Sequence, residues 1–185
     1  VVWEWFLWDH LVQDYDANAA NYGVVKDNPQ LINLNYPGDY GDDPDWIHAN
    51  ALAYNEDLDQ IMICAKNYHE IWVIDHSTTT VEAAGSTGGN SGKGGDILYR
   101  WGNPATYDLG DSTTQQFDGQ HDAYWIPDGY KDAGKIMVYN NRFYNPLNFS
   151  TVEIINPPVD ADGDYFYEAD SAFLPKTPDW TYQIP

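Results

Sequence analysis

Two histidines stand where a rigid strand could hold an imidazole for chemistry. His48 lies in "DWIHAN" (45–50) and His121 in "FDGQHDAYWIP" (117–127), each leading into an apolar or aromatic run. A neutral imidazole offers a lone pair and a transferable proton near pH 7, so it can act as nucleophile, general acid or general base. It can equally be a polar residue that begins a strand, and either histidine alone leaves both readings open. Only eight Lys and Arg residues stand against 29 Asp and Glu, for a net charge of −21. In so acidic a chain any anion site must be built around a local cation. The same charge repels phosphate backbones and excludes nucleic acid as an expected partner.

The other reactive side chains are less well placed. His10, in "WDHLVQD", directly follows an aromatic run and is a candidate for lining a substrate pocket, with structural hydrogen bonding as the alternative. His69 and His76 adjoin polar loops and read as surface residues. Cys64 is the single cysteine; its apolar neighbours would not lower its pKa, so it reads as a small core residue. "TGGNSGKGG" misses the phosphate-loop pattern, with Thr87 at the first glycine position and Gly94 at the Ser/Thr position. "DADGDY" (160–165) has Asp160, Asp162 and Asp164 but lacks the glycine placement and final glutamate of a calcium loop. It reads as an acidic turn, the aspartates of "GDYGDDPD" read as a solvated face, and no metal ligand set is assigned.

The elements that must position these residues are strands. Aromatic content is 16% and apolar content 43%, helix signals are nearly absent, and short alternating runs are separated by Gly, Pro, Asn and Asp turns. The pattern predicts strands at 2–8, 47–54, 60–66, 70–75, 96–101, 121–127, 134–140, 149–155 and 179–183. Residues 14–45 form a long polar connection, and 77–95 form another that ends in the flexible stretch "GSTGGNSGKGGD". No apolar run is long enough to cross a bilayer.

An internal repeat runs through this order. "HANALAYNEDLDQIMICAKNYHEIWVID" begins at His48, and "HDAYWIPDGYKDAGKIMVYNNRFYNPLNFSTVEII" begins at His121. Both share the order histidine, strand, acidic turn, strand, polar loop and a strand containing Glu-Ile. Four short antiparallel strands per unit imply an all-β fold of β-propeller blades. One blade spans 46–103 and the next 119–184, with 1–13 closing a preceding blade. Equivalent positions in successive blades face one end of the central channel, so His48 and His121 converge there. Two full blades plus one strand are fewer than the four to eight that close a propeller. The chain is therefore expected to be a piece of a longer protein whose blade edges meet the remaining blades or other copies. Its first residues, without a start methionine or a basic leader, read as the middle of a larger protein or as a processed product.

Three stretches are specific together: "DWIHAN", "GKGGDILYRWGNP" (92–104) and "GQHDAYWIP" (119–127). With "EIWVIDHSTT", they make the sequence resemble the bacterial aryl-sulfate sulfotransferases over nearly its whole length. The resemblance implies a periplasmic or secreted six-bladed propeller. It implies sulfuryl transfer from an aryl sulfate to a phenol, without a nucleotide sulfate donor or other cofactor. It makes His121 the nucleophile that is transiently sulfated, and makes His48 and Asn50 the "HxN" pair that contacts the sulfate and the departing phenol oxygen. Lys66 follows His48 at the place where the family usually has arginine in "SSR", and "YNNR" at Arg142 replaces the common "FDNG". Lysine keeps the charge but loses the planar two-pronged grip on an oxyanion. A non-catalytic acidic propeller module, built for binding or assembly, is the alternative.

Overall fold

The strand Glu70–Asp75, "EIWVID", is buried at every residue because both of its faces are covered. In the computed structural model, which describes residues 2–38, 44–142 and 149–184, it is the third strand of a four-stranded sheet. That sheet runs β3 (Ala49–Asn55), β4 (Gln60–Ala65), β5 (Glu70–Asp75), β6 (Tyr99–Trp101), each strand antiparallel to the next. The second sheet repeats the arrangement with β7 (Gln120–Trp125), β8 (Ile136–Asn140), β9 (Ser150–Ile155) and β10 (Trp180–Ile184). A short parallel pair, β1 (Leu11–Val12) and β2 (Ile32–Asn33), precedes both. The chain is thus mostly sheet, in two four-stranded antiparallel units of the kind a propeller blade requires. Two sheets do not by themselves close a ring.

Side-chain alternation along the strands explains the layering. Met62, Cys64, Ile71, Val73, Tyr99 and Trp101 of the first sheet face Ala123, Ile136, Val138 and Ile155 of the second, and form the main core between them. The opposite face carries Ile63, Ala65 and Trp72, and is covered by Trp5, Leu7, Leu11, Ile32, Tyr36 and Trp46 from the N-terminal part. Residues 163–175 close the seam of the two sheets. Gln60 Nε2 bonds to Gly163 O at 2.9 Å, Tyr165 stacks on Tyr99, and Trp101 Nε1 bonds to Pro175 O at 2.6 Å.

One buried ion pair joins the layers. Arg100 and Glu70 are both fully buried. The guanidinium bonds Glu70 twice, at 3.0 and 2.5 Å, and also bonds Pro29 O (3.1 Å), Leu31 O (2.9 Å) and Thr106 Oγ1 (2.9 Å). These five bonds use every N–H of the side chain. Trp72 Nε1 donates to the same carboxylate at 2.8 Å, and the Tyr107 ring lies 4.5 Å from the guanidinium carbon.

The structure corrects four expectations. Residues 2–6 form no strand, and Leu7–His10 is a 3₁₀ turn. The aromatic pattern reads as strand, yet Trp3 and Trp5 spend their indole N–H groups on Thr78 Oγ1 and Gly95 O of the first sheet's loops. The polar connection 14–45 contains β2. The glycine-rich stretch is not a loose loop: Gly94 N bonds Gly88 O, Gly95 N bonds Gly85 O, and Ser91 N bonds Asp75 Oδ2. At Gly94 φ is +59°, and a Cβ there would collide with Gly85 O, so only glycine fits. Finally, His69 is buried in left-handed backbone rather than at the surface. His76 is partly buried between the Trp3 and Tyr54 rings, with Nδ1 2.6 Å from Asp59 Oδ1.

Of the remaining loops, "DADGDY" makes a turn in which Asp160 Oδ1 accepts from Asp162 N and Asp164 N. Residues 39–43, within "GDYGDDPD", lie outside the described residues.

Arg100→Met would leave the Glu70 carboxylate buried without its partner. The expected cost is about 3–5 kcal/mol, read as a fall in the urea midpoint with little change in slope.

Candidate active site

The register of the two sheets decides which residues are equivalent. Tyr54 pairs with Ile61 as Trp125 pairs with Ile136, and Ala49 pairs with Ala65 as Gln120 pairs with Asn140. In the first strands, therefore, Ala49 corresponds to Gln120 and Tyr54 to Trp125. In the second strands Ile61 corresponds to Ile136 and Ala65 to Asn140. The two offsets differ because the turn from Ile126 to Lys135 is four residues longer than that from Asn55 to Gln60. The spacing from His48 to His121 falls between them and matches neither. His121 sits at the level of Asn50, while His48 corresponds to Gly119. The backbone agrees, since His48 (φ +50°) and Gly119 (φ +68°) are both left-handed. "Glu-Ile" is displaced in the same way, because Thr151 rather than Glu153 occupies the level of Glu70.

These residues still gather at one end of neighbouring strands. β3 and β7 run alongside each other, and Asn50 Nδ2 donates to Gln120 O at 2.9 Å, one residue from His121. A bulge between Ala49 and Ala51 turns Asn50 toward β7, and a second bulge lies between His121 and Tyr124. Asn50 Oδ1 and Gln120 Oε1 are buried acceptors without a partner, the kind of atom a site keeps for a donor. Lys66 joins the group through its backbone, its N–H bonding His48 O at 3.2 Å. The Lys66 ammonium donates to Asn67 Oδ1 at 3.0 Å, and Asn67 Nδ2 donates to Asp45 O at 2.6 Å.

Each histidine carries a partner that sequence reading missed. His48, whose side chain is 42% exposed, pairs through Nδ1 with the Asp45 carboxylate three residues earlier. The half-buried His121 has Nδ1 at 2.9 Å from Gly119 O and 3.0 Å from Asn141 Nδ2. The signal for Asp45 was present in "DWIHAN"; Asn141 is brought in only by β7–β8 pairing.

His10 is not brought to this group. It is fully buried beneath Trp5, with ring centroids 5.3 Å apart and nearly parallel. Its Nδ1 lies 3.0 Å from Asp96 Oδ1 and its Nε2 2.8 Å from Ala83 O, so both nitrogens are committed. Of the two readings of His10, the contacts match structural hydrogen bonding. Among the described residues no cluster of three His, Cys, Asp or Glu side chains is arranged to hold a metal.

A family model described as arylsulfotransferase (ASST) matches residues 1–156. The chain belongs to the arylsulfotransferase family. No curated protein and no solved structure matches it. The arylsulfotransferase match takes in His48, Asn50, Lys66, His121 and both of the newly found partners, Asp45 and Asn141. It ends just after β9, so residues 157–185, including the seam segment and β10, lie beyond it.

Cys64 lies close by without being part of this chemistry. It is fully buried, its Sγ is 3.8 Å from Gln120 O, and desolvation pushes the thiol up to about 12. The thiol therefore stays protonated at neutral pH. A disulfide reagent at pH 8 is expected to leave the folded protein unmodified and to titrate one thiol after denaturation.

Proposed function

We propose that this chain moves a sulfuryl group from an aryl sulfate ester to a phenol through a sulfated His121. The observation that carries the reading is the Asn50–Gln120 bond, which sets the strand of His48 and Asn50 against the strand of His121. An anion held between them meets a lysine, an amide and two imidazoles in a chain of charge −21.

Sulfuryl transfer, like phosphoryl transfer, depends on positioning and charge stabilisation more than on bond-making by the protein. An imidazole lone pair of His121 forms the N–S bond as the ester S–O bond breaks, and the electron pair leaves with the phenol oxygen. His48 supplies a proton to that oxygen, and the Asp45 carboxylate on Nδ1 orients the ring that does so. Lys66 faces the sulfate oxygens as a point charge and Asn50 donates to them. A second phenol then gives its proton to His48 and takes the sulfuryl group, so the kinetics are ping-pong. The donor is the ester itself, and no nucleotide sulfate enters the scheme.

The test is p-nitrophenyl sulfate incubated with and without phenol. Release of nitrophenol should depend on phenol and should fall by on the order of 10³-fold or more in His121→Asn. Full transfer by that variant, or equal release without an acceptor, would overturn the reading. A separate expectation concerns the family arginine: Lys66→Arg restores a two-pronged grip and should raise kcat/KM by about threefold to tenfold.

A further inference from the structure

We infer that Asn141 and the Gly119 carbonyl fix the tautomer of His121, so that Nε2 is the reacting nitrogen and Nδ1 keeps its proton throughout. The inference about the reacting atom rests on the transfer reading above; the tautomer itself does not.

Three atoms form a nearly equilateral triangle beside the ring. Nδ1 lies 2.9 Å from Gly119 O, Asn141 Nδ2 lies 2.7 Å from the same oxygen, and the two nitrogens are 3.0 Å apart. A carbonyl has two lone pairs, so it can accept from both nitrogens at once. With the proton on Nδ1, both contacts to the oxygen are hydrogen bonds. With the proton on Nε2 instead, the Nδ1 lone pair would face the carbonyl oxygen across 2.9 Å, acceptor against acceptor. Turning the Asn141 amide over is worse, because it would set Oδ1 against Gly119 O where Nδ2 now donates. With Nδ1–H each nitrogen points a proton of its own at Gly119 O, whereas in the other tautomer a single Asn141 N–H is shared between Gly119 O (2.7 Å) and Nδ1 (3.0 Å). Two full hydrogen bonds against one shared bond favour Nδ1–H.

Asn141 acts here as a positioning residue. The left-handed backbone of Gly119 turns its carbonyl toward the ring, and the Asn141 amide holds it there. Asn141 is itself placed by its neighbours on both sides. Asn140 Nδ2 bonds Gln116 O (3.1 Å) and Arg142 N bonds Asp118 O (2.7 Å), so the end of β8 is tied to the segment leading into β7.

The consequence for the transfer reading is chemical. When Nε2 attacks sulfur, the ring ends with SO₃ on one nitrogen and a proton on the other. The Nδ1 proton stays bonded to Gly119 O, and the sulfated ring is an imidazolium. When a phenol oxygen then attacks the sulfur, the N–S bond breaks and its electron pair returns to Nε2, so a neutral imidazole departs. A neutral leaving group is better than an imidazolide, and the second half of the reaction is favoured without any further proton movement at this ring.

The experiment is long-range ¹H–¹⁵N correlation NMR of the uniformly ¹⁵N-labelled protein, with His121 assigned by its absence in His121→Asn. The wild-type spectrum should show Nδ1 as the protonated, pyrrole-like nitrogen and Nε2 as the bare, pyridine-like one. Asn141→Ala should give a mixture of tautomers. Its kcat for transfer should fall by about 10–100-fold while KM changes little. A wild-type His121 protonated on Nε2 at neutral pH overturns the inference, as does an Asn141→Ala protein with unchanged tautomer and unchanged kcat. Because the wild-type spectrum needs neither turnover nor a variant, the tautomer and the transfer reaction stand or fall separately.

Discussion

The arrangement depends on the ion pair of Arg100 and Glu70. In a site closed to water, desolvation offsets much of the attraction between two charges, so such a pair is tolerated only with all its donors and acceptors satisfied. Meeting that condition here requires β5 and β6 to lie side by side and residues 29–31 to pass over them. It also requires Thr106 to turn inward. What the pair adds is geometry: it specifies which segments meet, in a layer that aromatic packing alone would leave freer to slide. The second sheet uses a related device, in which Arg142 Nη2 meets the buried Glu153 at 2.5 Å while its Nε bonds Thr151 Oγ1 at 3.0 Å.

From that pair a short series of bonds leads to the candidate site. Glu70 offers its side chain to Arg100 and its backbone carbonyl to Gln120, whose Nε2 bonds both Glu70 O and Ala65 O at 3.0 Å. Gln120 is fully buried, and its own carbonyl takes the Asn50 amide. The residue before His121 is thus fixed to the turn between β4 and β5, and the residue two beyond His48 is fixed to it in turn. The site is held from beneath by the same strands that carry the core, as a positioning task demands.

Much of this was legible in the sequence where one pattern ruled. "IMICA" and "IMVYN" are short apolar runs bounded by turn residues and are strands, and "EIWVID" is apolar enough to be a strand covered on both faces. Reading failed where a side chain had a second use. "VVWEWF" has strong β-propensity, but its indoles bond loops of the first sheet, and tertiary contacts override propensity. Thr79 and Glu82 form a capping box that starts the helical turn Thr80–Ala83, a signal present in "TTTVEA" and not used. The two histidines are out of register because the second sheet's first turn is longer and each first strand carries a bulge, neither of which spacing alone reveals. The residues that the family resemblance names still fall at one end of neighbouring strands, while Asn141 stayed hidden because its partner lies 20 residues away across a strand pair.

The central claim is that the sulfuryl group rests on His121 between donor and acceptor. The most direct measurement is to mix the protein with an aryl sulfate and no phenol, quench within one turnover at alkaline pH, and map the proteolytic peptides by mass. The account predicts a sulfuryl adduct on the peptide containing His121, disappearing when phenol is added before the quench. An adduct on another residue, or none while phenol-dependent transfer proceeds, would contradict it.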